Sequence, residues 1–556
     1  MAEHTVYYMC KYTPLELLAG FGVEVKRIEP DTNSFAVAES LGHPNMCGYG
    51  KGLLEAVMAG DVHELILVNC CDVVRRIYDI LRAEADLDFL YIIDLPHGTA
   101  EADVCRMQAE TCALRDAYAE FLDGTSQPTE YGKVESLQGN AQNDLRVPRD
   151  GAYISLRGAH SGAFLAELVR DKMPLPVQDD TCVGNRVVDV PVPCDLKPGE
   201  SMEHAYARAL LMQTPCMRMN DVGARESLGK GAAGILYHTM KFCDYYGFEY
   251  ADLAKKTEQP ILKIETDGTR QSSGQLATRL DAFAESLPAT HKERPKMQED
   301  MYTVGIDSGS TSTDAAVLDP NGELVGWSVI PTGAGAATGA GKALEAALSM
   351  AGITKEKVGK IVSTGYGRET IGIGDESITE ITCHARGARY LLPTARTVID
   401  IGGQDSKIIR MDENGAVTGF VMNDKCAAGT GRFLEMMART MEMSLEEMSG
   451  KGLSWKEEIT ISSMCTVFAE SEVVSLIAEN KDIADIVHGL NESVASRTAA
   501  LLKRVGEQGD YMMTGGVAAN KGVVAALEKR IGHTIHVSEK SQLCGAIGAA
   551  LLAREA

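Results

Sequence analysis

Residues 305–314 read GIDSGSTSTD. An apolar run, YTVGID, delivers Asp307 into a Gly/Ser/Thr turn, Gly309-Ser310-Thr311-Ser312-Thr313, and a second run, AAVLD, leaves it. Backbone N–H groups and hydroxyls of such a turn can wrap an anion. An acid at the strand end is placed for a Mg2+-bound water or for an attacking water. Residues 399–407, IDIGGQDSK, repeat the arrangement with Asp400, Gly402-Gly403 and then polar residues such as Gln404. Residues 513–523, MTGGVAANKGV, end a strand in Gly515-Gly516 and open a helix, and these glycines allow close backbone approach to a ligand. One such hairpin alone is a plain tight turn. Two acid–glycine hairpins followed by a Gly-Gly turn predict a phosphate cradle, and the pattern is neither the Walker loop nor the dinucleotide fingerprint.

The rest of the chain extends this reading on both sides. After the linker-like stretch LPATHKERPKMQEDM (287–301), the runs YTVGID, AAVLD, KIVSTG, TVIDIGG and SKIIRM read as strands, with RFLEMMARTM and TVFAESEVVSLIAEN as helices. Before it, ELILVN (64–69), FLYIIDLP (89–96), GILYHT (234–239) and ILKIET (261–266) read as buried strands among helices such as KGLLEAVMAG. Continuous apolar strands alternating with helices predict parallel sheets covered on both faces. The expected fold class is therefore α/β: Rossmann-like parallel-sheet subdomains, then a second α/β domain carrying the duplicated hairpins. The expected domains are 1–286, with possible subdomains 1–125 and 150–286 around a turn-rich break, and 302–556.

Composition narrows the class of function. With 54 basic and 78 acidic residues the formal net charge is −24, which disfavours nucleic acid and anionic membrane as partners. No apolar run reaches the roughly 18 residues of a membrane span. The start, MAEHTVYYMCKYTP, lacks the basic end and apolar core of a signal peptide, so a cytoplasmic protein is expected. Fourteen cysteines are then anomalous, because a reducing compartment does not use them as a disulfide framework.

The order of the glycine hairpins resembles the actin, Hsp70 and sugar-kinase superfamily of ATPases. The resemblance implies a duplicated domain closing on ATP or ADP. It gives Gly309, Ser310, Thr311, Gly402, Gly403 and Gln404 to the phosphates and Gly515 and Gly516 to the adenosine. Asp307 and Asp400 take Mg2+ or water positioning.

Two cysteines sharpen the match. MNDKCAAGTGRFLEMMA sets Cys426 before a glycine-containing turn that opens a helix, and ISSMCTVFAESEV sets Cys465 just before another. A helix N-terminus stabilises a thiolate or an anionic cluster through free N–H groups and the dipole. Two ligands are half of the four thiolates that a [4Fe–4S] cluster takes, so a symmetric dimer would supply two plus two. Together with STGYGR and ITEITCHARGA, these motifs closely resemble the activator ATPases of 2-hydroxyacyl-CoA dehydratases, a family that includes benzoyl-CoA reductase ATPase subunits. The resemblance covers about residues 302–554. It implies a homodimer through the ATPase domain, with one [4Fe–4S] cluster held by Cys426 and Cys465 of each chain. It also implies an electron donor such as ferredoxin or flavodoxin, and ATP-driven one-electron transfer to a dehydratase or reductase cluster. Asp314 departs from the pattern, where members of the family often carry lysine. Cys383 and Cys544 sit among small or apolar residues and read as core.

Ten further cysteines precede the linker. Cys70-Cys71 and Cys243 follow strand-like runs, and Cys47 begins a helix in HPNMCGYGKGLLEAVM. Ligand sites in parallel sheets form at the carboxyl ends of strands. DDTCVGNR and TPCMRMN place Cys182 and Cys216 in loops. No CxxC pair is present, which argues against structural zinc and for an iron–sulfur centre. Cys105 and Cys112 are spaced as one packed helical stripe, while Cys10, Cys70 and Cys194 receive no role. These segments, with CCDVVRR, DLPH and SGQLATRLDAFAE, resemble the 2-hydroxyacyl-CoA dehydratase component itself. That resemblance implies a cluster on Cys47, Cys71 and Cys243; some relatives hold a larger double-cubane cluster, for which Cys182 and Cys216 are the candidate further ligands, so cubane and double cubane both stay open.

The leading expectation is an ATP-hydrolysing iron–sulfur electron-transfer protein, whose acceptor is its own amino-terminal domain or a separate dehydratase or reductase. The rivals are a small-molecule kinase of the same superfamily, which leaves Cys426 and Cys465 unexplained, and a nucleotide-binding redox sensor.

Overall fold

The computed structural model describes residues 4–124, 128, 131, 152–184, 186–270, 273–287, 301–333, 335–424, 426–461, 465–506 and 508–555. The chain divides into two compact units, Met1–Leu280 and Asp281–Ala556. The expected break near 125–150 and the expected linker 287–301 fall almost wholly outside the described residues.

The first unit holds two four-stranded sheets. Strands β1 (Thr5–Tyr8), β2 (Glu24–Arg27), β3 (Glu64–Val68) and β4 (Phe89–Ile93) lie in the order β2-β1-β3-β4, every neighbour parallel. Strands β5 (Ile154–Gly158), β6 (Val177–Thr181), β7 (Gly234–Met240) and β8 (Ile261–Thr266) lie in the order β6-β5-β7-β8, again all parallel. The central strands explain the arrangement. β3, ELILV, and β7, GILYHTM, are buried along their whole length, which requires cover on both faces. One apolar core runs through both sheets, from Val6 to Tyr246. Because all strands of a sheet point one way, their carboxyl ends share an edge, and loops that leave it converge.

The second unit is built twice on one plan. Strands β9 (Tyr302–Ser308), β10 (Ser312–Leu318), β11 (Leu324–Pro331), β12 (Val358–Thr364) and β13 (Glu376–Ser377) form the sheet β11-β10-β9-β12-β13. Strands β14 (Thr397–Ile401), β15 (Ser406–Met411), β16 (Val417–Asn423), β17 (Tyr511–Thr514) and β18 (Ile535–His536) form β16-β15-β14-β17-β18. In each sheet the first three strands are an antiparallel meander, and the fourth pairs in parallel with the first. This is the expected α/β class, with the hairpin domain built from two like sheets.

Two helices, Glu380–Leu391 and the glycine- and alanine-rich Cys544–Arg554, pack against each other and against the strands of the two sheets. An added Cβ at Gly548 would meet the Cys383 carbonyl oxygen at 1.7 Å, and one at Gly387 would meet the Cys544 carbonyl at 2.0 Å. A Cβ at Gly305 in β9 would meet the Ala546 carbonyl at 1.9 Å. Only glycine permits these approaches. As expected, Cys383 and Cys544 are fully buried here. Gly548→Val should force the helices apart and cost about 1–3 kcal/mol, the usual penalty of overpacking. Urea unfolding of the second unit's transition measures it, and an unchanged midpoint would show that this contact yields without strain.

Candidate functional site

Asp307 stands in β9 at the start of the first hairpin, and Asp400 stands in β14 at the start of the second. The hairpins close alike, Gly309 N–H donating to the Ser312 carbonyl and Gly402 N–H to the Asp405 carbonyl, both at 3.0 Å. Their tips face each other. A Cβ on Gly403 would meet Thr311 Oγ1 at 2.2 Å and Ser310 Oγ at 3.3 Å. Gly515, at φ +79°, packs beneath Asp400, where a Cβ would lie 2.8 Å from Oδ1. Gly516 opens a short turn, Gly516–Ala519, and Gln404 is exposed at the second tip. The expected phosphate residues are therefore brought together.

His384 lies between the two aspartates, with Nε2 3.7 Å from Asp307 Oδ2 and Nδ1 3.6 Å from Asp400 Oδ1. Burial opposes its charge, but the two carboxylates outweigh burial and hold it protonated well above its ordinary range. Lys407 Nζ is buried among Asp405 Oδ2 (2.6 Å), Asp400 Oδ2 (3.3 Å) and Glu380 Oε1 (3.5 Å). Burial raises Glu380 to about 7. Asp314, facing Asp307 across the β9–β10 pair, is raised to about 8 by burial and then by that carboxylate.

The second hairpin also touches the Cys426 segment. Gly431 N–H donates to the Gly402 carbonyl (2.9 Å) and Arg432 N–H to the Gly403 carbonyl (2.8 Å), and Ser406 Oγ donates to the Gly429 carbonyl (3.0 Å). Gly431 and Arg432 begin the helix Gly431–Thr440 that follows Cys426. Cys465 is the cap of the helix Thr466–Ala478, and both cysteines are exposed. Beside Cys465 the same helix exposes Val467 (63%) and Phe468 (67%).

In the first unit, seven cysteines line one cavity of about 70 Å³: Cys10, Cys47, Cys70, Cys71, Cys182, Cys216 and Cys243. Cys47, Cys71 and Cys243 cap the helices Gly48–Met58, Asp72–Glu84 and Asp244–Lys256. Cys10, Cys70 and Cys182 follow β1, β3 and β6. Burial raises Cys182 and Cys243 to about 11, and the neighbouring Cys70 followed by burial raises Cys71. Burial alone would raise Cys216 too, but the Arg218 guanidinium and the Tyr246 hydroxyl outweigh it and hold that thiol below its ordinary range. Arg218 donates to Cys216 Sγ (3.4 Å) and Cys243 Sγ (3.8 Å). Soft sulfur donors in this number fit the ligand chemistry of an iron–sulfur centre.

Residues 304–553 match the BadF/BadG/BcrA/BcrD ATPase family. The 2-hydroxyisocaproyl-CoA dehydratase activator of Clostridioides difficile is 46% identical over 253 residues, 46% of this chain and 95% of the relative. This chain belongs to that family. The activator of lactoyl-CoA dehydratase of Anaerotignum propionicum is 48% identical over 256 residues, 46% of this chain and 98% of the relative. The solved activator of the 2-hydroxyisocaproyl-CoA dehydratase from Clostridium difficile with bound ADPNP is 46% identical, with a TM-score of 0.44 over 46% of this chain and 95% of that one. Residues 10–127 and 159–287 match the 2-hydroxyglutaryl-CoA dehydratase, D-component. Unlike a chain confined to the BadF/BadG/BcrA/BcrD match, this one therefore carries both matches in sequence. Among the described residues no helix is long and apolar enough to cross a membrane.

Sequence reasoning missed Cys10, Cys70, Arg218, His384 and Lys407 as parts of these sites. The strand-end rule could have found Cys10 and Cys70, because β1 and β3 are neighbours and their carboxyl ends adjoin. His384 carries no such local signal. The stripe expected of Cys105 and Cys112 is corrected. Both lie on the helix Glu101–Leu122, but it packs through Val104, Met107, Thr111, Leu114 and Tyr118, leaving Cys105 exposed. Cys194 is exposed as well.

The raised Asp314 carboxyl gives a pH test. The folded state holds its proton up to about 8, whereas the unfolded chain releases it near 3.8, so this group's contribution to stability falls as pH rises through that window. Asp314→Asn removes the loss. In nucleotide-free, cation-free protein, the variant should gain stability relative to wild type between about pH 5 and about pH 8. A difference independent of pH in urea unfolding would contradict the assignment.

Proposed function

We propose that this chain is an ATP-driven one-electron reductase, in which nucleotide hydrolysis in the second unit powers delivery of an electron to a cluster of the kind that the cysteine cavity fits. The observation that carries the reading is the pair of hydrogen bonds from Gly431 and Arg432 to the Gly402 and Gly403 carbonyls. The hairpin meant for a phosphate is thereby tied to the segment that bears Cys426.

The residue roles in this reading are those that the resemblance implies, and the facing hairpin tips support them. The N–H groups of Ser310 and Thr311 and of Gly403 and Gln404 are assigned to the phosphates, with Gly309 and Gly402 closing the two hairpins behind them, and Gly515 and Gly516 are assigned to the adenosine side. Asp307 and Asp400 would hold Mg2+ or orient an attacking water, and His384 between them keeps both carboxylates in place. Cys426 and Cys465, two from each chain of a homodimer, fit a [4Fe–4S] cluster, and the exposed Val467 and Phe468 suit that dimer contact. A [4Fe–4S] cluster supplies one-electron transfer at low potential. Loss of the γ-phosphate removes an anion from the hairpin tips, and the Gly402 and Gly403 carbonyls pass the shift to the Cys426 turn. Nucleotide can drive such a change only by binding the two states with different affinity. Ferredoxin or flavodoxin is the fitting donor, and the acceptor is the seven-cysteine centre or a dehydratase partner's. A kinase or a simple redox sensor gives no use for both thiol sites in one chain.

Asp400→Asn should lower ATP turnover about 100-fold while nucleotide affinity changes less than about tenfold, as expected of a group acting on the transition state. Equal loss of both, by turnover assay and calorimetry, would contradict the role. Cys426→Ala in the full chain should remove about four irons per dimer and leave the melting temperature unchanged. An unaltered iron count and electron paramagnetic resonance (EPR) spectrum would overturn the bridging cluster. With Cys426 and Cys465 both replaced, about four to eight irons should remain per chain, and none would sink the amino-terminal centre.

A further inference from the structure

Resting on the reading of the cysteine cavity as a metal centre, we propose that Arg218 is its positioning and charge-compensating residue, donating to the Cys216 and Cys243 sulfurs and raising the centre's reduction potential.

The other buried arginines of the first unit have carboxylates. Arg186 pairs with Glu16 at 2.6 Å, and Arg157 and Arg225 share Glu249 at 2.9 and 2.8 Å. Arg218 differs. Among the described residues no carboxylate lies within ion-pair distance of it, and its two terminal nitrogens reach sulfur instead. Its Nε is buried and makes no hydrogen bond among the described residues. The rings of Tyr245 and Tyr246, with centroids 5.0 and 5.7 Å from the guanidinium carbon, hold the group against the cavity wall. Tyr246 Oη adds a second contact to Cys216 Sγ at 3.4 Å. A guanidinium stays charged at any working pH, so this cavity keeps a permanent cation that, among the described residues, has no anion within ion-pair distance except the thiolates.

The chemistry of the pocket makes that cation consequential. Burying charge without a partner is costly. A cluster held by several thiolates is anionic, and its reduction adds one more electron, making and breaking no bond. The added negative charge appears beside the guanidinium and its N–H···S contacts, which therefore favour the reduced form. Net charge and hydrogen bonds to sulfur are the protein's means of setting such potentials. The sequence disguised this role because Arg218, two positions after Cys216 in TPCMRMN, looks like an ordinary loop arginine.

The test uses the full chain with Cys426 and Cys465 replaced by alanine, so that only the amino-terminal centre titrates. Dithionite supplies the electron, and EPR follows it with redox mediators. Arg218→Gln should move the midpoint to a more negative potential at the same iron content, and Arg218→Lys should recover part of the shift by restoring charge without the fork. Iron lost from the Gln variant but kept by the Lys variant would also support the proposal. Equal midpoints at equal iron content would overturn it, as would loss of iron from both variants. Absence of iron from the parent protein would instead overturn the reading of the cavity, which separates the two failures.

Discussion

Two aspartates from separate sheets stand within reach of one imidazole because glycines stand where the helices beneath them touch. Gly548, Gly387 and Gly305 let backbone approach backbone where any side chain would collide with a carbonyl oxygen. Gly545 does the same beside His384, since a Cβ there would lie 2.1 Å from Asp307 Oδ2. Without that closeness Asp307 and Asp400 would be two unrelated strand ends. With it, both hairpin tips face one another, and His384 and Lys407 place two cations among the buried carboxylates there.

The same economy joins the second hairpin to the Cys426 segment. The Gly402 and Gly403 carbonyls accept from the first N–H groups of the helix after Cys426. These are the donors that a helix leaves unpaired at its start. A displacement of the hairpin is then a displacement of that helix start, with no flexible side chain between them. In the first unit the answer to charge is different. In its cysteine cavity burial pushes the Cys182 and Cys243 thiols up, while the Arg218 guanidinium outweighs burial at Cys216 and holds that thiol below its ordinary range.

Departures from family pattern become interpretable in this setting. Asp314 occupies a position that in resembling sequences often holds lysine, and here it faces Asp307 directly across a strand pair. A lysine there would neutralise Asp307. An aspartate adds a second carboxyl that burial keeps protonated to about pH 8, so the pocket avoids a second full negative charge without gaining a positive one.

The hairpins, the buried strands and the helix-start cysteines were legible in the sequence because each depends on neighbours a few positions away. GIDSGSTSTD makes its turn from its own glycine, and Cys465 becomes a cap through the helix that directly follows it. The pairing of motifs was legible too, since duplicated strand–acid–glycine patterns imply duplicated sheets. Convergence was not. Cys10 joins Cys70 only because β1 happens to lie beside β3, and Arg218 becomes a cation without a carboxylate only once every neighbouring chain segment is in place. His384 gained its position from helix packing, and Cys105 lost its expected one because its helix buries a different face. Local pattern determines the elements and their ends, whereas strand order and helix contact decide which of those ends meet.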